Sequence, residues 1–249
     1  MYVVRSLVTY LATAAYILVV GPIGLLVAVP FKAKDLLYRL GHGGVALALG
    51  LAGIRYTVVG RENIPKGRAL VFCANHQSNV DPPVLFRALH PRLHILYKAE
   101  LRKLPVLGHV LEAGGFVAVQ RENRDAAFAS IEQAVQSVRH GNSFLIFPEG
   151  TRSKTNHLLP FKKGGFVMAL QAQAPIVPVA ISGGREAMRK GSAFVRPVSV
   201  TVRIGKPVET AGLTTEDRDH VIALVRSRIE ALLEQGSKVS GFPAGTVEP

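Results

Sequence analysis

A single cysteine, Cys73, stands among the 249 residues. The chain therefore closes no disulfide within itself, a small disulfide-stapled secreted fold is excluded, and a reducing compartment is the simpler expectation. Acid is scarce relative to base: 17 Asp and Glu face 30 Lys and Arg, a formal charge of +13. Such a balance suits nucleic acid, anionic lipid or an acidic substrate, and charge by itself does not choose among them. No zinc-finger spacing and no RNP-type aromatic motif accompanies it, which turns the choice away from nucleic acid. His76, His90, His94 and His109 form no zinc-ligand spacing, so no metal is expected. No G-x-S-x-G elbow surrounds Ser78 or Ser153. Repeats and low-complexity tracts are also missing, and 48% hydrophobic residues exclude intrinsic disorder. The length fits one main core with an appended terminal module.

Charge is absent from Ser6 to Phe31, a run of 26 residues bounded by Arg5 on one side and by Lys32, Lys34 and Arg39 on the other. About 20 apolar residues suffice to cross a bilayer. Gly21, Pro22 and Gly24 interrupt the run, and proline removes a helix hydrogen bond, so a bent or re-entrant insertion competes with a span. A second apolar stretch, Val45 to Ile54, is too short to span and reads as interfacial or packed. Cations at both ends leave the positive-inside rule without a direction, and the expectation is a one-leaflet anchor. The run is also longer than the roughly 7–15 apolar residues of a secretory signal.

Beyond Ile54, short apolar runs alternate with helix-period stretches, the pattern of an α/β domain. Strands are expected at 56–59, 69–74, 94–97, 116–119, 143–147, 176–181 and 198–204, and their near-continuous apolar character suits a mostly parallel sheet covered by helices on both faces. Phe128, Ile131, Val135 and Val138 mark an amphipathic helix with Gly141 after it. Val221, Leu224, Val225, Ile229, Leu232 and Leu233 mark another, starting after Thr214 or Thr215 and stopping at Gly236. The expected organisation is an N-terminal apolar helical membrane anchor over 1–54, an α/β domain over 55–236 and a mobile tail over 237–249.

Chemistry-bearing residues collect just after the expected strands, where open α/β sheets place ligand sites. Asn75-His76-Gln77-Ser78-Asn79-Val80-Asp81 offers an imidazole with a carboxylate five residues on, a pair able to act as a general base on a hydroxyl. The plain alternative makes Asp81 a helix N-cap before Pro82, and both readings can hold if one carboxylate oxygen serves the backbone and the other the imidazole. Phe147-Pro148-Glu149-Gly150-Thr151-Arg152-Ser153 opens a stretch in which Arg152, Lys154, Lys162 and Lys163 suit an anion, or else a solvated turn. Gly115 to Arg121 delivers an arginine at a strand end, and Lys98 follows another strand. Two rivals remain: a hydrolase using Cys73, Ser78 or Ser153 as nucleophile, and a non-enzymatic lipid- or nucleic-acid-binding protein using its basic surface.

Taken in order, these blocks resemble the glycerolipid acyltransferase family: His76 through Asp81, Lys98 to Pro105, Gly115 through Arg121, Phe147 through Arg152 with Pro160-Phe161-Lys162-Lys163-Gly164 after it, and Ile176-Val177-Pro178-Val179. The resemblance spans roughly residues 71–179. It implies transfer of a fatty acyl group from an acyl-CoA or acyl carrier protein thioester to the sn-2 hydroxyl of 1-acyl-sn-glycerol-3-phosphate (lysophosphatidic acid), forming phosphatidic acid, with another lysophospholipid or lipid alcohol as the alternative acceptor. On that reading His76 is the base and Asp81 its orienter. Arg121, Glu149, Gly150, Thr151 and Arg152 bind the glycerol phosphate, and Lys98 joins them. No cofactor is implied beyond the acyl donor. The partners are the two lipid substrates, acyl carrier protein and an anionic membrane surface, with a place on the cytoplasmic face of the inner membrane.

Overall fold

A computed structural model describes residues 2–120, 124–155, 157–189 and 191–239. Two N-terminal helices, α1 (Tyr2–Ala28) and α2 (Lys34–Ala52), form an antiparallel hairpin. There follow β1 (Ile54–Val59), β2 (Val71–Ala74), α3 (Asp81–Ala88), β3 (Leu93–Lys98), α4 (Leu107–Ala113), β4 (Val117–Val119), α5 (Arg124–Arg139), β5 (Ser143–Ile146), α6 (Gly164–Ala172), β6 (Ile176–Ser182), β7 (Val198–Ile204) and α7 (Arg218–Val239). All seven expected strands are present. Their order is β1-β7-β6-β2-β5-β3-β4, with every neighbouring pair parallel except β6 and β7.

The period-two alternation of β2 divides the core. Phe72 and Ala74 point into one apolar cluster with α2 and α3, whereas Val71 and Cys73 point into the other with α5, α6 and α7. The central strands β2 and β5 are buried at every position, as continuous apolar runs predict, while β1 at the sheet edge alternates buried and solvent-facing residues.

Three local expectations change. Phe128 is 65% exposed, and α5 packs instead through Ala134, Val135 and Val138 with Ile131 beside them, while Ser130 donates to the Ala118 carbonyl of β4 at 2.8 Å. Helix α7 starts behind a Thr214–Asp217 capping box, as the sequence suggests, but passes through Gly236 to Val239. Helix α1 runs unbroken through Pro22. Its glycines are packing notches: a Cβ on Gly21 would lie 2.5 Å from Val106 Cγ1, and one on Gly24 would lie 2.8 Å from Leu40 Cδ1. The Val45 to Ile54 stretch is largely the end of α2, where Leu49 and Ala52 are buried against the sheet. Residues 240–249 of the expected tail lie outside the described residues.

One buried histidine belongs to the fold itself. His94 in β3 is 3% exposed, stacked on Phe144 at 5.1 Å and beside Tyr38 and Phe116. Burial, aided by the positive charges of Lys34 and His90, lowers its pKa to about 4. Below pH 6.5 the unfolded chain binds a proton that the folded chain refuses until about pH 4, so this stability is complete above 6.5 and is lost as pH falls. The loss reaches at most roughly 3 kcal/mol. Thermal unfolding of wild type and His94→Gln at several pH values checks this: wild type should lead near pH 7.5, and the gap should narrow or close by pH 5.

Candidate active site

Parallel pairing brings the predicted blocks to one edge. Phe72, Leu145 and Ile95 are aligned across β2, β5 and β3; His76 and Glu149 each stand four residues beyond that line and Lys98 three. At the end of β2, Asn75 extends the ladder with its side chain, accepting from the Ile181 N–H at 2.7 Å and donating to the Ile181 carbonyl at 3.0 Å. The main chain is thereby free to turn, and His76 leaves the sheet.

The His76 imidazole is held on several sides. Its Nδ1 donates to Asp81 Oδ2 at 2.9 Å, and the same oxygen accepts from the N–H groups of Gln77 and Ser78, both at 2.7 Å. The ring lies on Phe147 with centroids 4.3 Å apart. Its own N–H donates to Glu149 Oε1 at 2.8 Å, and its carbonyl accepts from the Ser153 N–H at 2.8 Å. With Nδ1 committed, Nε2 is the nitrogen left for a reacting group.

Asp81, 1% exposed, opens α3 without capping it; the N-cap is Val80, and the carboxylate serves the turn before the helix. The division of its oxygens between imidazole and backbone is corrected by the structure. All three donors converge on Oδ2, while Oδ1 is buried without a partner among the described residues, facing Gly184, where a Cβ would lie 2.7 Å away.

In the second block, Gly150 adopts φ +68°, and a Cβ there would meet Lys162 Cε at 2.7 Å, so both conformation and space favour glycine. Gly150, Thr151 and Arg152 line a cavity of about 880 Å³ together with His76, Asn79 and Lys98. Lys98 also pairs with Glu100 at 2.8 Å. Glu149 departs from the substrate-binding role that the resemblance implied. It is 3% exposed, it is absent from the cavity wall, and both its oxygens are taken by backbone N–H groups, those of His76 and Leu159. Arg121 lies outside the described residues.

The rest of the cavity is apolar and has a wall that motif reading missed. Ile17 and Val20 of α1, and Leu37, Tyr38 and Val45 of α2, line it together with Pro82, Phe86, Ile95 and Phe116. The N-terminal hairpin thus builds part of the site. Its signal was present in the small residues Gly41 and Gly44, which also line the cavity. Nothing in the local sequence marks the contacts that Phe147 and Ser153 make with His76, the ring stacking and the Ser153 N–H bond to its carbonyl.

The rival nucleophiles are otherwise engaged. Burial and the nearby Glu149 push the Cys73 thiol far above its ordinary pKa. The Ser78 hydroxyl donates to the Met188 carbonyl, and the Ser153 hydroxyl meets the carbonyls of Thr155 and His157. Among the described residues, no group of three or more His, Cys, Asp and Glu could hold a metal ion.

Residues 55–182 match the family model described as Acyltransferase. The 1-acyl-sn-glycerol-3-phosphate acyltransferase of Borreliella burgdorferi is 30% identical over 190 residues, 76% of each chain. That of Saccharomyces cerevisiae is 31% identical over 241 residues, 94% of this chain and 78% of the yeast protein. The coconut enzyme of the same name, from Cocos nucifera, is 35% identical over 188 residues, 75% of this chain and 60% of the coconut protein's length. The crystal structure of the 1-acyl-sn-glycerophosphate acyltransferase PlsC from Thermotoga maritima superposes with a TM-score of 0.81 at 26% identity, covering 98% of both chains. With its sheet, its His76–Asp81 block and these likenesses together, the chain belongs to the acyltransferase family.

Proposed function

We propose that the protein transfers a fatty acyl group from an acyl-CoA or acyl carrier protein thioester to the sn-2 hydroxyl of 1-acyl-sn-glycerol-3-phosphate, giving phosphatidic acid. The observation that carries this reading is the His76–Asp81 pair, with His76 lining a largely apolar cavity that Lys98 and Arg152 also line. An imidazole with a held Nδ1, cations for a phosphate and an apolar slot for a chain match the three parts of the reaction: hydroxyl, headgroup and tail.

His76 Nε2 takes the proton of the acceptor hydroxyl as its oxygen attacks the thioester carbonyl. The C–O bond forms, the C–S bond breaks, and the departing thiolate recovers the proton from the imidazolium. Asp81 keeps Nε2 unprotonated at the start and stabilises the cation formed midway. No acyl-enzyme is needed, which agrees with the engaged Cys73, Ser78 and Ser153.

A lipid acceptor calls for a membrane position. Among the described residues one helix, α1, is long and apolar enough to cross a membrane, and Leu7, Leu11, Val19 and Leu26 project from it into solvent. Yet α1 is bound along its length to the rest of the molecule. Ser6 Oγ accepts from the Val195 N–H at 2.8 Å, Tyr10 donates to the Ala193 carbonyl at 2.6 Å, and Gly21 abuts Val106. Crossing both leaflets would draw those loops into hydrocarbon, so α1 is read as lying in one leaflet, on the cytoplasmic face of the inner membrane.

The test is acyl transfer from long-chain acyl-CoA and acyl carrier protein to lysophosphatidic acid and to neutral or zwitterionic lysolipids. Phosphatidic acid as the main product supports the proposal; turnover of another acceptor alone overturns the substrate. Arg152→Ala should raise the acceptor KM about 10- to 100-fold, the worth of a charge-assisted bond of ~1.5–3 kcal/mol, with little change in the donor KM. Equal losses for both substrates would count against Arg152 as a phosphate ligand.

A further inference from the structure

We propose that Glu149 is a positioning residue for His76, the middle link of a brace running from α7 to the imidazole, and not a ligand for the acceptor's phosphate. The kinetic part of the test rests on the acyl-transfer reading above.

The brace is continuous. Glu149 Oε1 accepts from the His76 N–H at 2.8 Å and Oε2 from the Leu159 N–H at 2.9 Å. Leu159 is fixed in turn: Arg226 donates from Nη1 to its carbonyl at 2.8 Å and from Nη2 to the Leu158 carbonyl at 3.1 Å, with the guanidinium over the Phe161 ring at 5.2 Å. Arg226 sits on α7, which is seated in the core through Val221, Val225 and Ile229. The Ser153 N–H closes the other side of His76 by donating to its carbonyl. Both main-chain polar groups of His76 are thus tied to the loop after β5. Asp81 orients the ring, and Glu149 holds the backbone from which the ring hangs.

The residue type follows from this geometry. Two N–H donors converge on the side chain from opposite loops, and a carboxylate offers an acceptor to each. Gln offers one acceptor and one amide, so one N–H would face another donor. Ala would leave both N–H groups without partners, at the desolvation cost of buried donors. Burial raises the Glu149 carboxyl above its ordinary range, and the two N–H groups and the nearby Arg226 oppose that shift, favouring the ionised form that accepts both bonds.

The experiment uses the full chain in detergent or bilayer, as wild type, Glu149→Gln and Arg226→Ala. Arg226 is outside the cavity wall, so its loss reaches the chemistry only through the loop. Glu149→Gln should lower kcat about 10- to 100-fold, the scale of a misplaced catalytic group. Its lysophosphatidic acid KM should stay within about 2-fold, since no binding contact is removed. Arg226→Ala should lower kcat in the same direction by a smaller factor, again at constant KM. With histidine labelled by ¹⁵N, the His76 amide proton should move upfield in both variants as its bond to the carboxylate weakens.

A tenfold rise in acceptor KM with kcat preserved in Glu149→Gln, or a His76 amide that does not move, overturns the brace. Should Glu149→Gln fail to fold, Arg226→Ala carries the same two readouts. The amide measurement needs no substrate, so a wild type inactive on lysophosphatidic acid would sink the functional reading while the brace is still decided.

Discussion

Replacing His76 with alanine is expected to lower acyl transfer about 10²- to 10⁴-fold, the range contributed by a positioned general base. The imidazole offers Nε2 toward the cavity, while Cys73, Ser78 and Ser153 are withdrawn into other contacts. No second base stands ready among these groups to take the hydroxyl proton. The fold should tolerate the change, because the contacts that tie this loop down are main-chain ones: the N–H to Glu149 and the carbonyl to Ser153 are kept by alanine. The variant should therefore retain lysophosphatidic acid binding and lose kcat. Steady-state kinetics beside a thermal melt check this. Activity within a few-fold of wild type in a folded variant would remove His76 from the chemistry.

Asp81→Asn carries the second large effect, for a different reason. Asparagine is nearly isosteric and can place its carbonyl oxygen where Oδ2 now accepts from Gln77, Ser78 and His76. What it lacks is charge. A neutral partner no longer favours the imidazolium formed as the hydroxyl gives up its proton, and in Ser-His-Asp triads the comparable change costs about 10⁴ in kcat, largely by allowing the wrong tautomer. A loss of about 10²- to 10⁴-fold is expected here, with both KM values little changed. The amide nitrogen would occupy the place of Oδ1, which is buried and has no partner among the described residues, so a modest fall in thermal midpoint should accompany the loss. Full activity in Asp81→Asn would mean that the pair orients the turn without assisting proton transfer.

These two residues are legible in the sequence because their partnership is local. Asp81 lies five residues after His76, and the turn between them is held by the N–H groups of Gln77 and Ser78. Glu149 shows the opposite case. Its position after an apolar strand placed it at the right edge of the sheet, but its carboxylate meets a main-chain donor 73 residues away. No spacing along the chain encodes that direction. The apolar N-terminal run, read as an anchor alone, likewise becomes a cavity wall only when Gly21 and Gly24 let it close on α4 and α2. Phe128 fits the helical period yet stays exposed, since periodicity defines a face without stating how far the neighbouring sheet extends under it.

Local pattern along the chain specifies the seven strands, helices α5 and α7, and the edge at which His76, Lys98 and the Glu149–Arg152 stretch come together. Hydrophobic period, glycine placement and strand-end chemistry are properties of neighbouring residues. Which oxygen of Asp81 is used, that Glu149 turns inward to hold His76, and that the hairpin closes an apolar cavity over the site follow from the assembled fold. Each of those depends on donors and surfaces brought from distant parts of the chain, where burial makes an unpaired polar group costly and so selects one arrangement.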